Sequence, residues 1–371
     1  MPSAAGSSPS DCLEVPKARR FILCVAPLTP PVTGAARVSD LAIDAICRDG
    51  HDVRVLGTAT TVRSPLLHHG IRLFAHLRAL AALIKGRRKR IEAVYMAIDG
   101  GAGIYYQILL ISVARILTVP LLLHHHSFSY LTRYRRRAAV LFSLSGSHSA
   151  HVALCDRMAA LMHEHYKPSG EVVVSSNMAL LATENKWQQS RDEAPPAGDL
   201  IVGHLSNLSA EKGLSLVLAS FRYMADQLPD LKFRLAGSCS DPRGLEDIRS
   251  CAGALGEAFE YRGGISPSEV PGFLRSIDLF IFPSRYVNEA EPLVVAEAML
   301  CGARVVALDV GCLRAQVGLN GVVVSEESRW YEALSEELGQ LRSRRVVVTQ
   351  TGAQIPVLHA LTRLLESTDT I

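Results

Sequence analysis

Glu289, Glu297 and Lys212 are the residues of this chain whose types and spacing could do chemistry. The two acids sit in the stretch 282–302, which reads as strand end, loop and helix. The run 277–282 is apolar and rich in β-branched and aromatic residues, which predicts a buried strand. Pro283 and Ser284 end it. Pro292 suits a first helical turn, where a missing N–H costs nothing. Residues 293–300 are apolar except for Glu297, so this helix is buried, and Gly302 is its stop. A carboxylate inside such a helix needs a partner; the plain structural reading is that Glu297 snorkels to solvent or caps a neighbouring loop. Eight helical residues advance about 12 Å, more than the carboxyl separation of about 5–9.5 Å that glycoside hydrolysis uses. The acids are better placed to grip separate hydroxyls of an extended ligand. Free amides at Leu293 and Val294, at the helix N-terminus, favour an anion such as a diphosphate.

The elements that position these residues alternate between strand and helix. Residues 20–26 form a buried strand, 27–34 a Pro/Thr/Gly loop, 38–48 a helix and 52–56 a second strand. This is the opening of a doubly wound α/β domain. Gly34, between strand and helix, lets a ligand approach the backbone or simply turns the chain. A helix over 71–90, a strand over 93–98 and a turn over 99–103 follow. Gly-Gly-Ala-Gly in that turn is not G-x-G-x-x-G and marks no dinucleotide site. The strand 119–124 ends in His124, His125 and His126. Alternate side chains of a strand point to opposite faces, so three consecutive histidines make a poor tetrahedral metal site, and no metal is expected. They are otherwise hydrogen-bonded polar groups at a strand end, where ligands of such sheets also gather. Residues 183–199 are polar, contain Pro195-Pro196 and read as a linker. A second α/β unit begins with the strand 200–205. Its loop 206–213 carries Asn207 and Lys212, and a helix starts at Leu214. Strands over 232–236 (ending at Gly237), 259–262, 304–308 and 321–324 follow, with a Ser266–Glu269 capping box between and helices over 330–341 and 356–365. The fold class is therefore α/β with two doubly wound, Rossmann-like domains. The expected division is a disordered tail 1–18, a first domain 19–182, the linker 183–199, a second domain 200–345 and a helical tail 346–371.

At 371 residues and 48% apolar, the chain can bury two cores. Its net charge of +3 gives no general prior for polyanions, but the charge is uneven. Residues 1–199 hold 23 Lys/Arg against 15 Asp/Glu, and the remainder 16 against 21. The first half therefore suits an anionic surface. Two basic runs, Lys85 to Arg90 and Arg133 to Arg137, are either solvated faces or contacts for anionic lipid headgroups or a lipid-diphosphate acceptor. Nucleic acid is not expected, since only Tyr134 interleaves them with an aromatic ring. Cys12, Cys24, Cys47, Cys155, Cys239, Cys251, Cys301 and Cys312 are scattered without a Cys-x-x-Cys. That predicts reduced thiols in a cytoplasm rather than disulfides or a zinc site. No secretory signal is visible: the run 21–26 is too short for a signal core. The hydrophobic stretch 104–123 is broken by Arg115 and Pro120 and is not expected to span a membrane.

Glu289-x7-Glu297, followed by Ala298 and Cys301-Gly302, resembles the signature of the retaining glycosyltransferases of family 4, also called group 1. The resemblance covers about residues 20–325 and is strongest over 200–311. It implies the GT-B arrangement, two doubly wound domains facing a cleft, and a reaction that moves a sugar from a nucleotide-diphosphate sugar to an acceptor hydroxyl. It implies retention of anomeric configuration, no bound metal and no cofactor, since the nucleotide sugar is a substrate. Residues 206–213 resemble the family's Arg-x4-Lys-Gly segment, whose cations hold the donor diphosphate. Lys212 matches, whereas Asn207 stands at the arginine position and supplies no charge. The implied catalytic residues are His126, Lys212 and Glu289. His126 would face the transferred sugar, with His124 on the same strand face as the open alternative. Gly34, Asn207, Lys212, Gly237, Glu289, Leu293, Val294 and Glu297 would bind the donor: Glu289 the sugar hydroxyls, Glu297 the ribose, Gly237 the base. The family often has a second glycine after Gly34, where this chain has Ala35, and usually an Asn at the turn toward the second domain, matched by Asn177. The expected acceptor is a glycan, a lipid-linked glycan or a small molecule, and the expected location cytoplasmic, peripheral at the inner membrane face. The alternative is a degenerate GT-B protein that binds nucleotide or glycan without transfer.

Overall fold

The computed structural model describes residues 20–60, 62, 65–98, 100–187, 199–343 and 356–369. The expected tail 1–18, most of the linker 183–199 and residues 346–355 of the expected helical tail lie outside the described residues.

The first α/β unit runs β1 (Phe21–Ala26), α1 (Gly34–Arg48), β2 (Val53–Gly57), α2 (Pro65–Arg90), β3 (Ile91–Ile98), α3 (Ile104–Ile116), β4 (Leu121–His125), α4 (Ser129–Thr132), α5 (Arg136–Ser145), β5 (Ser149–Ala153), α6 (Asp156–Tyr166), β6 (Glu171–Val174) and α7 (Asn177–Leu181). Its six strands form one parallel sheet in the order β2-β1-β3-β4-β5-β6. β1, β4 and β5 are buried along their whole length, because helices cover both faces of a parallel sheet. α1 shows how the local sequence sets an element. Thr33 caps it by accepting a hydrogen bond from the Ala36 amide at 3.2 Å. Val38, Leu41, Ala42, Ala45 and Ile46 then recur at helical spacing and are buried.

The second unit runs β7 (Ile201–Leu205), α8 (Leu214–Gln227), β8 (Lys232–Ala236), α9 (Pro242–Leu255), β9 (Phe259–Tyr261), α10 (Val270–Arg275), β10 (Leu279–Phe282), α11 (Leu293–Leu300), β11 (Arg304–Leu308), α12 (Leu313–Val317), β12 (Gly321–Val324) and α13 (Trp330–Ser343). Its parallel sheet has the order β12-β11-β10-β7-β8-β9. The doubly wound expectation thus holds for both halves. The chain ends with α14 (Pro356–Asp369), which packs on α1, β5 and β6 of the first unit. Val357, Ala360, Leu361 and Leu364 are buried there, and Arg363 pairs with Glu171 at 2.6 Å. One expected start moves. The Ser266 amide and hydroxyl both donate to the Glu269 carboxylate, at 2.8 and 2.6 Å, but α10 begins only at Val270. Pro271 has no N–H to give the carbonyl four residues back, so the capping pair closes a turn ahead of the helix.

In each sheet the strand order reverses once, and ligands of open α/β sheets bind beyond the strand C-termini at that switch point. In the second sheet the switch falls between β7 and β10. The loop after β7 carries Lys212 and the loop after β10 carries Glu289. Gly213 makes this approach possible. It has φ +79°, and a Cβ there would lie 2.1 Å from the Pro283 carbonyl oxygen. The N-terminus of α8 can therefore seat directly on the β10 loop. Gly34 is different: its φ is ordinary and a Cβ would meet nothing within 4 Å. Gly213→Ala is expected to lose at least about 2 kcal/mol from left-handed strain and the backbone clash. Gly34→Ala is expected to hold or raise stability by up to about 1 kcal/mol. Denaturant midpoints of the two variants check this; equal midpoints would refute the seating role of Gly213.

Candidate functional site

Lys212 and Glu289 form an ion pair between the two switch-point loops. Glu289 is 8% exposed and also accepts a hydrogen bond from the Ser284 hydroxyl at 3.0 Å. The Lys212 ammonium lies 4.9 Å from the Tyr286 ring centroid and 5.9 Å from that of Phe282, in cation–π range. Behind it, His204 on β7 bonds the Ile281 carbonyl and the Ser206 hydroxyl, each at 2.8 Å. Burial pulls the His204 pKa down to about 4, so it is neutral and adds no competing charge. α11 starts beside this pair. Pro292 is its N-cap residue and no side chain caps the first turn, where Leu293 and Val294 lie. The arrangement is a cation, an acid and an open helix N-terminus beyond the C-terminal ends of the two central strands, which suits a diphosphate carrying hydroxyl groups.

The histidine run at the end of β4 splits between the two faces of the sheet. His124 bonds the Tyr95 hydroxyl at 3.0 Å. His125 bonds the Tyr130 hydroxyl at 2.6 Å and His151 at 3.0 Å. His126 lies against His124, ring centroids 4.1 Å apart and ring planes tilted by 45°, and its Nε2 is buried without a hydrogen-bond partner. Burial lowers the His126 pKa to about 4, so the ring is neutral at pH 7. Among the described residues no three His, Cys, Asp or Glu side chains are arranged to hold a metal ion.

The other expected donor residues fall in different settings. Gly34 opens α1, exposed. Asn207 is exposed in the β7 loop. Gly237 has φ +126°, and a Cβ there would strike the Ser206 carbonyl oxygen at 1.7 Å, so the fold itself demands this glycine. Glu297 lies within electrostatic reach of Lys186, Arg37 and Glu184. Burial raises its pKa to about 7, against the pull of Lys186 and Arg37. Arg37 pairs with Glu184, which also accepts from the Trp187 indole at 3.0 Å.

Three features escaped sequence reading. Glu291, 6% exposed, joins the units: its carboxylate accepts from the Ser176 hydroxyl and from the Asn177 amide at 2.6 Å. The Asn177 side chain donates to the Glu291 carbonyl at 3.2 Å. A second acid directly before Pro292 was the available signal. Asn288 accepts from the Ser127 hydroxyl at 3.1 Å, tying the same loop to the end of β4. Third, Cys155 and Cys312 form a disulfide, Cα atoms 5.8 Å apart. This corrects the expectation of reduced thiols throughout. The two residues are 157 apart in sequence, so no local spacing announces them; the packing of α6 against the β11 loop brings them together. Cys24, Cys47, Cys239, Cys251 and Cys301 are free thiols.

With this geometry in place, residues 185–345 match the family model described as Glycosyl transferases group 1, and this segment belongs to that family. No curated protein sequence matches the chain. Its fold is that of solved glycosyltransferases of the GT-B type. Sucrose-phosphate synthase (tll1590) from Thermosynechococcus elongatus is 16% identical with a TM-score of 0.61, over 95% of this chain and 98% of that one. Anabaena Alr3699/HepE in complex with UDP and glucose is 16% identical with a TM-score of 0.60, over 95% and 100%. WaaG, a glycosyltransferase involved in lipopolysaccharide biosynthesis, is 13% identical with a TM-score of 0.62, over 92% and 98%. The resemblance read from Glu289, Glu297 and Lys212 is thereby borne out.

Glu291 makes the junction sensitive to pH. Burial raises its pKa from 4.5 to about 7, opposed by the Ser176 and Asn177 hydrogen bonds. The folded state binds this proton more tightly than the unfolded chain. Its contribution is fully present below about pH 4.5 and is lost as pH rises through about 7. Melting temperature is expected to fall from pH 5 to pH 8, and to fall less in Glu291→Gln, which keeps the acceptor for the Asn177 amide. Equal slopes for the two proteins would refute the assignment.

Proposed function

We propose that the chain is a group 1 glycosyltransferase that transfers a sugar with retention, from a nucleotide-diphosphate sugar to a hydroxyl of a glycan, lipid-linked or small-molecule acceptor. The Lys212–Glu289 pair at the switch point of the second sheet carries the reading. The donor diphosphate takes the place between Lys212 and the Leu293 and Val294 amides, and Gly34 leaves room opposite it. Glu289 then holds sugar hydroxyls, Glu297 the ribose hydroxyls, and the unpaired Nε2 of His126 a further sugar hydroxyl. The bond from the anomeric carbon to the phosphate oxygen breaks as the acceptor hydroxyl attacks from the same face. The acceptor proton passes to the leaving phosphate oxygen, so no enzyme base is needed. Lys212 and the helix amides stabilise the charge that develops on the diphosphate. In this scheme the enzyme uses no metal and no cofactor.

Asn207 in place of an arginine favours a second reading, a protein that binds nucleotide or glycan without transfer. A panel of nucleotide sugars, with and without acceptors, separates the two. Transfer by the wild type with a loss of about 10²–10³-fold in Lys212→Ala, the usual cost of one transition-state donor, is expected. Binding without turnover across the panel would favour the second reading. Full transfer by Glu289→Gln would remove that residue from the site.

The acceptor side is proposed to meet an anionic lipid surface in the cytoplasm. Between Val53 and Cys155 the chain has 14 Lys/Arg and only two acids, Glu92 and Asp99. Arg133, Arg135 and Arg136 are exposed, whereas Arg137 is half-buried and donates to the Gly100 carbonyl at 3.0 Å. The side chains of Arg87, Arg88 and Lys89 lie outside the described residues. Phe74, Leu77 and Ile84 on α2 and Tyr105, Leu109 and Ile116 on α3 are exposed nearby in sequence and layer. No described helix is long and apolar enough to cross a membrane. Replacing Arg133, Arg135 and Arg136 together by Ala is expected to weaken sedimentation with phosphatidylglycerol vesicles about 10²-fold, at about 1 kcal/mol per basic residue. Equal sedimentation with phosphatidylcholine vesicles would refute the charge-based contact.

A further inference from the structure

We propose that Cys155 and Cys312 are a reversible redox latch that fixes the two α/β units in the closed arrangement and slows exchange of the donor. The part concerning the donor rests on the transferase reading; the closure does not.

Cys155 ends the turn from β5 into α6 in the first unit, and Cys312 the turn from β11 into α12 in the second. Both are buried. The bond lies against the donor loop. The Cys312 amide donates to the Ala290 carbonyl at 2.7 Å. Gly311 abuts the same loop so closely that a Cβ would lie 2.3 Å from the Ala290 oxygen and 2.5 Å from the Glu289 oxygen. Arg157, the second residue of α6, reaches Asp309 and the Gly311 carbonyl, each at 3.4 Å. A covalent bond here therefore ties the first unit to the turn that packs on the backbone of Glu289 and Ala290. The same loop is held from the first unit by the Ser127 hydroxyl on Asn288, at 3.1 Å, so parting the units frees the loop that carries Glu289. The noncovalent contacts across the junction can break and reform; the disulfide cannot without chemistry. In a reducing compartment disulfides are transient or sensing rather than structural, which fits a bond placed on a moving junction.

The oxidant is a low-molecular-weight disulfide. One cysteine thiolate attacks it, forming a mixed disulfide and releasing one thiolate. The second cysteine attacks the mixed disulfide, forms the Cys155–Cys312 bond and releases the other. Two electrons pass to the oxidant, and the two cysteine protons end on its two thiols. A dithiol reverses the sequence.

The test uses the full chain, reduced with dithiothreitol or oxidised with glutathione disulfide. Peptide mapping is expected to find the Cys155–Cys312 cross-link only after oxidation. X-ray scattering is expected to give a larger radius of gyration for the reduced protein, with Cys312→Ser and Cys155→Ser at the reduced value under both treatments. Absence of the cross-link, one radius for both wild-type forms, or the same redox response in either variant would overturn the latch. UDP is the probe for the donor: its dissociation is expected to be at least 10-fold slower from oxidised wild type, and unaffected by oxidation in the variants. Equal UDP off-rates in the two wild-type forms would overturn the effect on exchange. A protein that binds no UDP in either form would count against the transferase reading with a uridine donor, and scattering would still decide the latch.

Discussion

The contact of Gly213 with the Pro283 carbonyl is the constraint on which the rest of the site depends. A side chain there would push α8 away from the β10 loop, and Lys212 would no longer reach Glu289. The pair it permits is costly in isolation, since both charges leave much of their water. It persists because Ser284, the aromatic faces of Tyr286 and Phe282 and the neutral His204 surround it with compatible groups. A preformed cation–acid pair can be opened by a ligand that offers a better anion to the lysine and hydroxyls to the acid. That exchange is less costly than burying either charge anew.

Much of this was legible in the sequence. Apolar runs bounded by Gly and Pro located β8, β11 and β12 at their observed bounds, and helical spacing located α1 from Val38 to Arg48, four residues short of its observed start. Buried parallel strands are the most readable elements, because both faces are covered and the apolar run is unbroken. The pairing of Lys212 with Glu289 was not read as such, only their common ligand, because 77 residues separate them. Glu291 and the Cys155–Cys312 bond were missed for a related reason. Their meaning arises where two separately wound units touch, and no periodicity within either unit encodes that surface. Gly237 was read for a ligand, yet the Ser206 carbonyl already requires a glycine there.

The junction between the units contains several ionisable and hydrogen-bonding groups. Glu291 meets Ser176 and Asn177, Glu297 faces Arg37 and Lys186, Arg157 meets Asp309, and Asn288 meets Ser127. Burial at this interface raises the pKa values of Glu291 and Glu297 to about 7. These bonds lie beside a continuous apolar contact, in which Leu180 and Leu181 of the first unit share one buried cluster with Phe273, Val295 and Met299 of the second.

The position of α14 bears on how the first unit is assembled. The chain leaves the first unit after α7, builds the whole second unit, and returns to bury Leu361 and Ala360 against the first. The first unit therefore acquires its last helix only after the whole of the second unit's sequence, and its packing is completed from both sides of the chain.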